Sequence, residues 1–206
     1  IKLLKAMVDS QSHRAPDEKG FYQSKNIFIG MGRLKIIDLK SINLCPYEDK
    51  DLVLSYNGEI YNYIEIRKEL KKHKYKFKTT SDIEVLANSW KHWGYNMFEK
   101  LNGMFAICIY DKKKNIIMLA RDIAGEKPLY YSKTGNKFYF ASEAKAIKKV
   151  CNNKVIKNRI INAFQHCISD TLWKDVYQLQ PGHHLTINLK NQKFKIEEYW
   201  KFKNIK

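Results

Sequence analysis

The chain has 206 residues, of which 44% are hydrophobic and 13% are aromatic. This is the size of one domain with a substantial core, and the composition argues against intrinsic disorder. No apolar run reaches the roughly eighteen residues of a transmembrane helix, and no signal peptide is recognisable. We therefore expect no membrane partner and a cytoplasmic location.

The formal net charge of +17 raises the question of nucleic-acid binding. Almost all of the basic residues are lysines, and they are scattered along the chain. Nucleic-acid-binding domains usually gather them into a stripe with interleaved aromatic residues. The densest run, at 68–78, is typical of the solvated face and exit of a helix. We expect weak, non-specific attraction of anions and no specific nucleic-acid partner.

The cysteines are Cys45, Cys108, Cys151 and Cys167. They show no CxxC spacing and no paired histidine pattern, so we expect neither a disulfide framework nor a metal site. Cys108 lies within an apolar run and is interpreted as a small core residue.

In the first half of the chain, helical spacing of apolar residues predicts a helix over 1–8. Apolar runs then predict strands at 27–31, 34–37 and 52–56. A charged, helix-prone run follows at 65–70. Ser81 and Glu84 together fit a capping box that opens another helix, and Gly94 is expected to end it.

The second half predicts three hairpins. They pair 104–110 with 116–120, 129–131 with 138–141, and 183–189 with 193–199. A helix is expected at 142–149, and 151–170 is a poorly patterned connection. Many strands in hairpins with a few helices between them indicate an α+β fold, in which helices cover antiparallel sheets.

The stretch Asn57-Gly58-Glu59 follows the predicted strand at 52–56, and we expect it at a strand-to-helix corner. Asn57 offers an amide donor, and Gly58 lets its own N–H approach a ligand because it has no Cβ. Together they could stabilise an oxyanion, while Glu59 could bind an ammonium group. Asn-Gly is also the commonest hairpin dipeptide, so a simple turn is the alternative.

A series of short motifs runs along the whole chain. They are HRAPD (13–17), GRLKIID (32–38), NGEIYN (57–62), TSDIEV (80–85), LNGMFAICIYD (101–111), ARDIAGEKPLYY (120–131), FASEAKAI (140–147) and LQPGHHL (179–185). In this order they resemble the class II glutamine amidotransferase domain of glutamine-hydrolysing asparagine synthetases. The resemblance implies one such domain over 1–206, with the N-terminal-nucleophile hydrolase fold. That fold is an αββα sandwich of two antiparallel sheets between helices.

The resemblance also implies a glutamine site. Arg33 would hold the α-carboxylate, for which a guanidinium is well suited. Glu59 and Asp82 would hold the α-ammonium group, and Asn57 with the Gly58 N–H would form the oxyanion hole. The structural alternatives are a surface salt bridge for Arg33 and a favourable helix-dipole interaction for Asp82. The second is compatible with ligand binding.

Two positions depart from the family pattern. Ala15 replaces the usual glycine before Pro16, which is a mild change if its φ is negative, since a residue before proline is held in extended conformations. Lys35 stands where the family commonly has a small hydroxyl residue, and the resemblance does not account for it.

The implied reaction is hydrolysis of the glutamine side-chain amide by an N-terminal cysteine, whose own α-amine acts as the base. This chain begins at Ile1, so that cysteine and its strand are expected upstream, and internal Cys45 is not expected to replace it. Three hypotheses follow: a fragment of an active enzyme, a natural truncation that binds glutamine, or a non-hydrolysing pseudo-glutaminase kept for assembly. The retained binding residues favour the first.

The family's synthetase half carries an SGGxDS-type loop, and no such stretch occurs here. We therefore expect no cofactor in this domain, since ATP and magnesium would belong to a synthetase domain or chain that receives the ammonia. Related synthetases amidate sugars or close β-lactam rings. The acceptor therefore stays open, as does the oligomeric state, with a homodimer among the options.

Overall fold

The structure is a computed structural model that describes residues 1–39, 44–151, 154–156 and 171–201. The helices in these ranges are α1 (Lys2–Asp9), α2 (Tyr63–Lys72), α3 (Asp82–Trp93) and α4 (Ala144–Lys148). The strands are β1 (Glu18–Ser24), β2 (Ile27–Arg33), β3 (Tyr47–Glu48), β4 (Leu52–Ile60), β5 (Gly103–Asp111), β6 (Ile116–Arg121), β7 (Tyr130–Thr134), β8 (Lys137–Ala141), β9 (Tyr177–Gln178), β10 (His183–Asn188) and β11 (Phe194–Glu198). Most of the poorly patterned connection at 151–170 lies outside the described residues.

The strands form three antiparallel sheets. The largest has the order β11-β10-β6-β5-β4-β3, and two smaller sheets have the orders β8-β7-β9 and β1-β2. The three predicted hairpins are β5–β6, β7–β8 and β10–β11, and all three are confirmed. Hairpins dominate because each turn is short and rich in residues that tolerate a left-handed backbone, such as Asn115 with φ +56° and Gly135 with φ +57°.

The large sheet buries both of its faces because the apolar residues of its central strands point both ways. One face packs on α2 and α3, where Ile107 and Met118 share a core with Trp90. The opposite face packs on the two smaller sheets, where Cys108 and Leu119 share a core. On the far side of the smaller sheets lie α1 and α4, which share a third core. The layers therefore follow the predicted αββα order.

Local signals account for most of the helix boundaries. Ser81 is the N-cap of α3, since its Oγ accepts a hydrogen bond from Ile83 N at 3.4 Å, and Gly94 ends the helix at φ +57°. A capping box also requires the Glu84 side chain to accept a hydrogen bond from Ser81 N, and this half of the prediction is wrong. The carboxylate of Glu84 instead accepts hydrogen bonds from the N–H groups of Lys78 and Thr79, which ties the preceding loop to the helix.

Two strand predictions are corrected. The segment 34–37 is not a strand, although its isoleucines suggested one. The strand that begins at Leu52 does not end at Tyr56 but continues through the polar motif to Ile60, so the predicted corner lies further along the chain. Among the described residues, no helix has the length and apolar character needed to cross a membrane.

Candidate active site

A cleft of about 1400 Å³ opens between the large sheet and the two smaller ones. All five residues selected from the sequence line it: Arg33, Asn57, Gly58, Glu59 and Asp82. They come from three elements, namely the end of β2, the second half of β4 and the first turn of α3. The fold therefore brings the predicted set together.

The polar motif is part of a central strand. Asn57 pairs with Ala106 and Glu59 pairs with Met104 on β5. Side chains alternate along a strand, so Asn57 and Glu59 share the face that carries Val53, which packs against the smaller sheets. A rigid strand, rather than a hairpin turn, holds these two side chains in the cleft.

Gly58 is required by its neighbours on β5. A Cβ at this position would lie 2.1 Å from Met104 O and 2.7 Å from Phe105 Cα. Any other residue would therefore force β4 away from β5. The absence of a side chain serves the pairing of the two strands, a reason that the sequence alone did not reveal.

The direction of the Gly58 N–H follows from its strand partner. On the other side of β5, Phe105 N donates to Asp122 Oδ2 and Phe105 O accepts from Asp122 N, so the N–H and C=O of Phe105 point away from β4. Gly58 and Phe105 are therefore a non-hydrogen-bonded pair, and the Gly58 N–H points to the opposite edge of β4. At the same edge, Ile60 N donates a hydrogen bond to Asp82 Oδ2 at 3.2 Å.

Asn57 has an unsatisfied amide. Its Nδ2 is buried and has no hydrogen-bond partner. Leaving a buried donor unpaired costs about 1–3 kcal/mol, and such groups are rare in native proteins. A ligand oxygen in the cleft would supply the partner.

Arg33 ends β2 and is held in place by backbone groups. Its side chain is 9% exposed, and its Nη2 donates hydrogen bonds to Ile37 O and Asp38 O, both at 3.0 Å. These bonds fold the segment after β2 back over the guanidinium, which explains why 34–37 is not a strand. Arg33 is therefore buried at the cleft wall, and its ion pair with Glu18, at 3.5 Å, is largely buried as well.

Asp82 is almost fully buried, with 5% of its surface exposed. Its Oδ2 accepts hydrogen bonds from Tyr56 OH at 2.8 Å and from Ile60 N. Burial raises the pKa of this carboxyl, while the two hydrogen bonds act in the opposite direction. Tyr56 is a residue that the sequence analysis missed, because within an apolar run it is indistinguishable from a core aromatic residue.

The described cysteines do not provide a nucleophile. Cys45 Sγ donates to Met31 O at 3.0 Å, and burial raises the pKa of its thiol to about 12. Burial also raises the pKa of Cys108 and Cys151. These thiols are protonated at neutral pH, whereas a nucleophile needs the thiolate. Cys167 lies outside the described residues.

The loop after β6 is fixed by the side chains of Asp122 and Arg121. The carboxylate of Asp122 accepts hydrogen bonds from the N–H groups of Phe105, Ala124, Glu126 and Lys127. Arg121 donates to the carbonyls of Lys127 and Leu179.

Ala15, the departure in HRAPD, has φ −153°, an extended conformation that fits the expectation of a mild change.

Comparisons with known proteins agree with this arrangement. Residues 1–200 match the family described as glutamine amidotransferase domain. The chain is 38% identical over 191 residues to asparagine synthetase [glutamine-hydrolyzing] 1 of Bacillus subtilis, covering 90% of this chain and 30% of that protein. It is 32% identical to putative asparagine synthetase [glutamine-hydrolyzing] 2 of Methanocaldococcus jannaschii, covering 94% of this chain and 42% of that protein.

The fold is also found among solved structures. Glutamine phosphoribosylpyrophosphate amidotransferase from B. subtilis superposes with a TM-score of 0.56 at 23% identity, covering 74% of this chain and 30% of that one. At this identity the likeness concerns the fold alone. The chain spans about a third of the length of the B. subtilis synthetases that it matches. From the match over residues 1–200, the chain belongs to the class II glutamine amidotransferase domain family.

Proposed function

We propose that this chain is the glutaminase domain of a glutamine-dependent asparagine synthetase, which hydrolyses glutamine and supplies ammonia for the ATP-dependent amidation of aspartate. The observation that carries the proposal is the buried, unpartnered Nδ2 of Asn57 in a cleft that also holds Arg33, Glu59 and Asp82. The acceptor half would be another domain or chain, since the relatives named as synthetases are about three times longer.

The charges in the cleft match the groups of glutamine. Arg33 is the partner for the α-carboxylate, and the acidic pair Glu59 and Asp82 is the partner for the α-ammonium group. The side-chain amide of the substrate would then face Asn57 and the Gly58 N–H. Attack on that amide places negative charge on its oxygen, and these two donors would stabilise it.

Two strand edges in the cleft can accept a further strand. Among the described residues, β2 pairs only with β1 and β8 pairs only with β7. Residues from both strands line the cleft, including Phe28 and Phe140, and its floor carries Ala106 and Cys108. A strand seated there would join the two small sheets into one. In this proposal the nucleophilic cysteine stands at the start of such a strand, which would precede Ile1.

The proposed reaction combines these groups with the upstream cysteine. The cysteine thiolate attacks the amide carbon, ammonia leaves and a thioester forms, and water releases glutamate. The cysteine's own α-amine transfers the protons. The residues of this chain bind the two ends of the substrate and stabilise the oxyanion.

Turnover of the full-length protein expressed from its gene tests the proposal. Asn57→Ala is expected to lower kcat for glutamine hydrolysis by about 100- to 1000-fold, as when one oxyanion donor is lost. The KM for glutamine should change far less. Asn96→Ala is the matched control, because Asn96 is exposed and does not line the cleft. An equal loss in kcat and in glutamine affinity would refute the oxyanion role.

The second candidate is a module that binds glutamine without cleaving it. It is favoured by the protonated state of Cys45, Cys108 and Cys151. Mass and N-terminal sequencing of the native protein separate the two candidates. A mature chain that starts with cysteine and releases ammonia supports the enzyme, whereas another first residue together with glutamine binding supports the module.

A further inference from the structure

Arg33 has a second charged neighbourhood on the side away from its backbone partners. Glu18 opens β1 and is the direct cross-strand partner of Arg33 in β2. Its Oε2 lies 3.5 Å from Arg33 Nη1 and also 3.5 Å from Lys35 Nζ. One carboxylate is therefore shared between two cations.

The shared carboxylate oxygen is poorly satisfied. Glu18 Oε2 is buried and forms no hydrogen bond, although the side chain as a whole is 24% exposed. Lys35 is held next to it, because Lys35 N donates a hydrogen bond to Asp17 Oδ2 at 2.8 Å. The ion pairs thus rest on charge and position rather than on hydrogen bonding.

The charge count explains what Lys35 adds. Arg33 and Glu18 alone sum to zero, so Glu18 would act as an internal competitor for any ligand carboxylate. With Lys35 the three side chains sum to +1. Lys35 thereby offsets the charge of Glu18 next to the guanidinium, in a partly buried setting where Coulomb interactions are stronger than in water.

We propose that Lys35 is a positioning residue for carboxylate recognition, which shares Glu18 with Arg33 and so offsets the negative charge that a ligand carboxylate would meet beside the guanidinium. This inference rests on the proposed binding of glutamine in the cleft. It accounts for the lysine that the family pattern leaves unexplained. The alternative role of the Lys35–Glu18 pair is structural only, as for most surface ion pairs.

Calorimetric titration of the whole chain with two ligands tests this inference. The ligands are L-glutamine and 4-aminobutanamide, which is glutamine without its α-carboxylate. Lys35→Met is expected to weaken L-glutamine binding about fivefold, the upper range for a partly exposed pair, and to leave 4-aminobutanamide unchanged. Lys35→Arg should restore L-glutamine binding. Lys113→Met is the matched control, because it removes a lysine ion pair, with Asp51, that involves neither Arg33 nor Glu18.

A double-mutant cycle isolates the role of Glu18. In a Glu18→Gln background, Lys35→Met should weaken L-glutamine binding by no more than about twofold, the residual effect of a screened charge. Equal loss in both backgrounds, equal loss for both ligands, or no loss would each overturn the inference. Thermal melts of every variant show whether it is folded. If the unmodified chain fails to bind L-glutamine, the proposed function fails with the inference, whereas binding that is indifferent to Lys35 overturns the inference alone.

Discussion

Replacing Asp82 by asparagine tests the proposed ammonium site with little change in shape. The side-chain oxygen of asparagine can still accept from Tyr56 OH and Ile60 N, which now bind Asp82 Oδ2. The negative charge is lost. Because the side chain is 5% exposed, water has little room to take over the contact with a ligand ammonium group.

The expected loss can be estimated from the bond that is removed. A hydrogen bond to a charged group contributes about 1.5–3 kcal/mol, and Glu59 remains as a second acidic partner. We therefore expect Asp82→Asn to weaken glutamine binding by about 2 kcal/mol, or roughly thirtyfold. Titration calorimetry at pH 7.5 measures it, with a thermal melt to show that the variant is folded.

Asp111→Asn is the matched control. Asp111 is also buried and accepts a hydrogen bond from Trp90 Nε1 at 2.9 Å, but it does not line the cleft. This control is expected to lower the melting temperature without changing glutamine affinity. Equal binding by Asp82→Asn and the unmodified chain, or equal weakening in both variants, would refute the reasoning.

The pKa of Asp82 predicts how glutamine affinity and stability change with pH. Burial raises the pKa of Asp82, and the ammonium group of the ligand binds the ionised form. Glutamine affinity should therefore be highest above the raised pKa and fall as the pH drops through it. This fall should occur at a higher pH than it would for an ordinary aspartate. In the free protein the raised pKa has the opposite consequence. Acidification through this range should stabilise the unmodified chain relative to Asp82→Asn, because the folded state takes up the proton first.

Three further predictions follow from packing and burial. Gly58→Ala should unfold the protein or lower its melting temperature sharply, because the added Cβ would lie 2.1 Å from Met104 O. As a control, Gly135→Ala meets no atom within 4 Å and should cost only about 1 kcal/mol for its left-handed backbone. Similar melting temperatures for the two variants would contradict this prediction. Cys45 should resist iodoacetamide at pH 7.5 in the folded chain and react after unfolding, since burial raises the pKa of its thiol to about 12. Peptide mass mapping measures the labelling, and fast labelling of the folded chain would contradict the burial of Cys45. Arg121→Lys should lower the free energy of unfolding by about 2–3 kcal/mol in a urea titration, because lysine cannot donate the planar set of hydrogen bonds that Arg121 gives to several carbonyls. An unchanged urea midpoint would show that only the positive charge of Arg121 matters.

The parts of the fold that were predicted correctly are those in which local signals and packing agree. The β5–β6 hairpin has apolar strands on both sides of a short polar turn, and α3 has a capping serine at its start and Gly94 at its end. Such elements need little help from the rest of the chain. By contrast, β1 is polar along most of its length and is held by β2, so its own residues gave no signal.

The errors at the site have tertiary causes. Asn, Gly and Glu are depleted in strands, so the motif after Tyr56 looked like a corner. Pairing with β5 and the bond from Ile60 N to Asp82 extend the strand through it. At 34–37 the isoleucines favour a strand, yet the side chain of Arg33 captures the carbonyls of Ile37 and Asp38. In both places a buried charged side chain overrides local propensity.

In the proposed function, the pairing of β4 with β5 concerns glutamine binding rather than hydrolysis. Glycines on both strands allow the close approach, since a Cβ on Gly58 would collide with Met104 O and a Cβ on Gly103 would lie 2.2 Å from Glu59 O. Asn57 and Glu59 are thus placed by a rigid central strand, which positions side chains more accurately than a loop. This placement uses only residues of the chain described here and none of the nucleophile. We therefore expect glutamine binding to require an intact β4–β5 pair, and turnover to require in addition a cysteine on the strand proposed to fill the cleft.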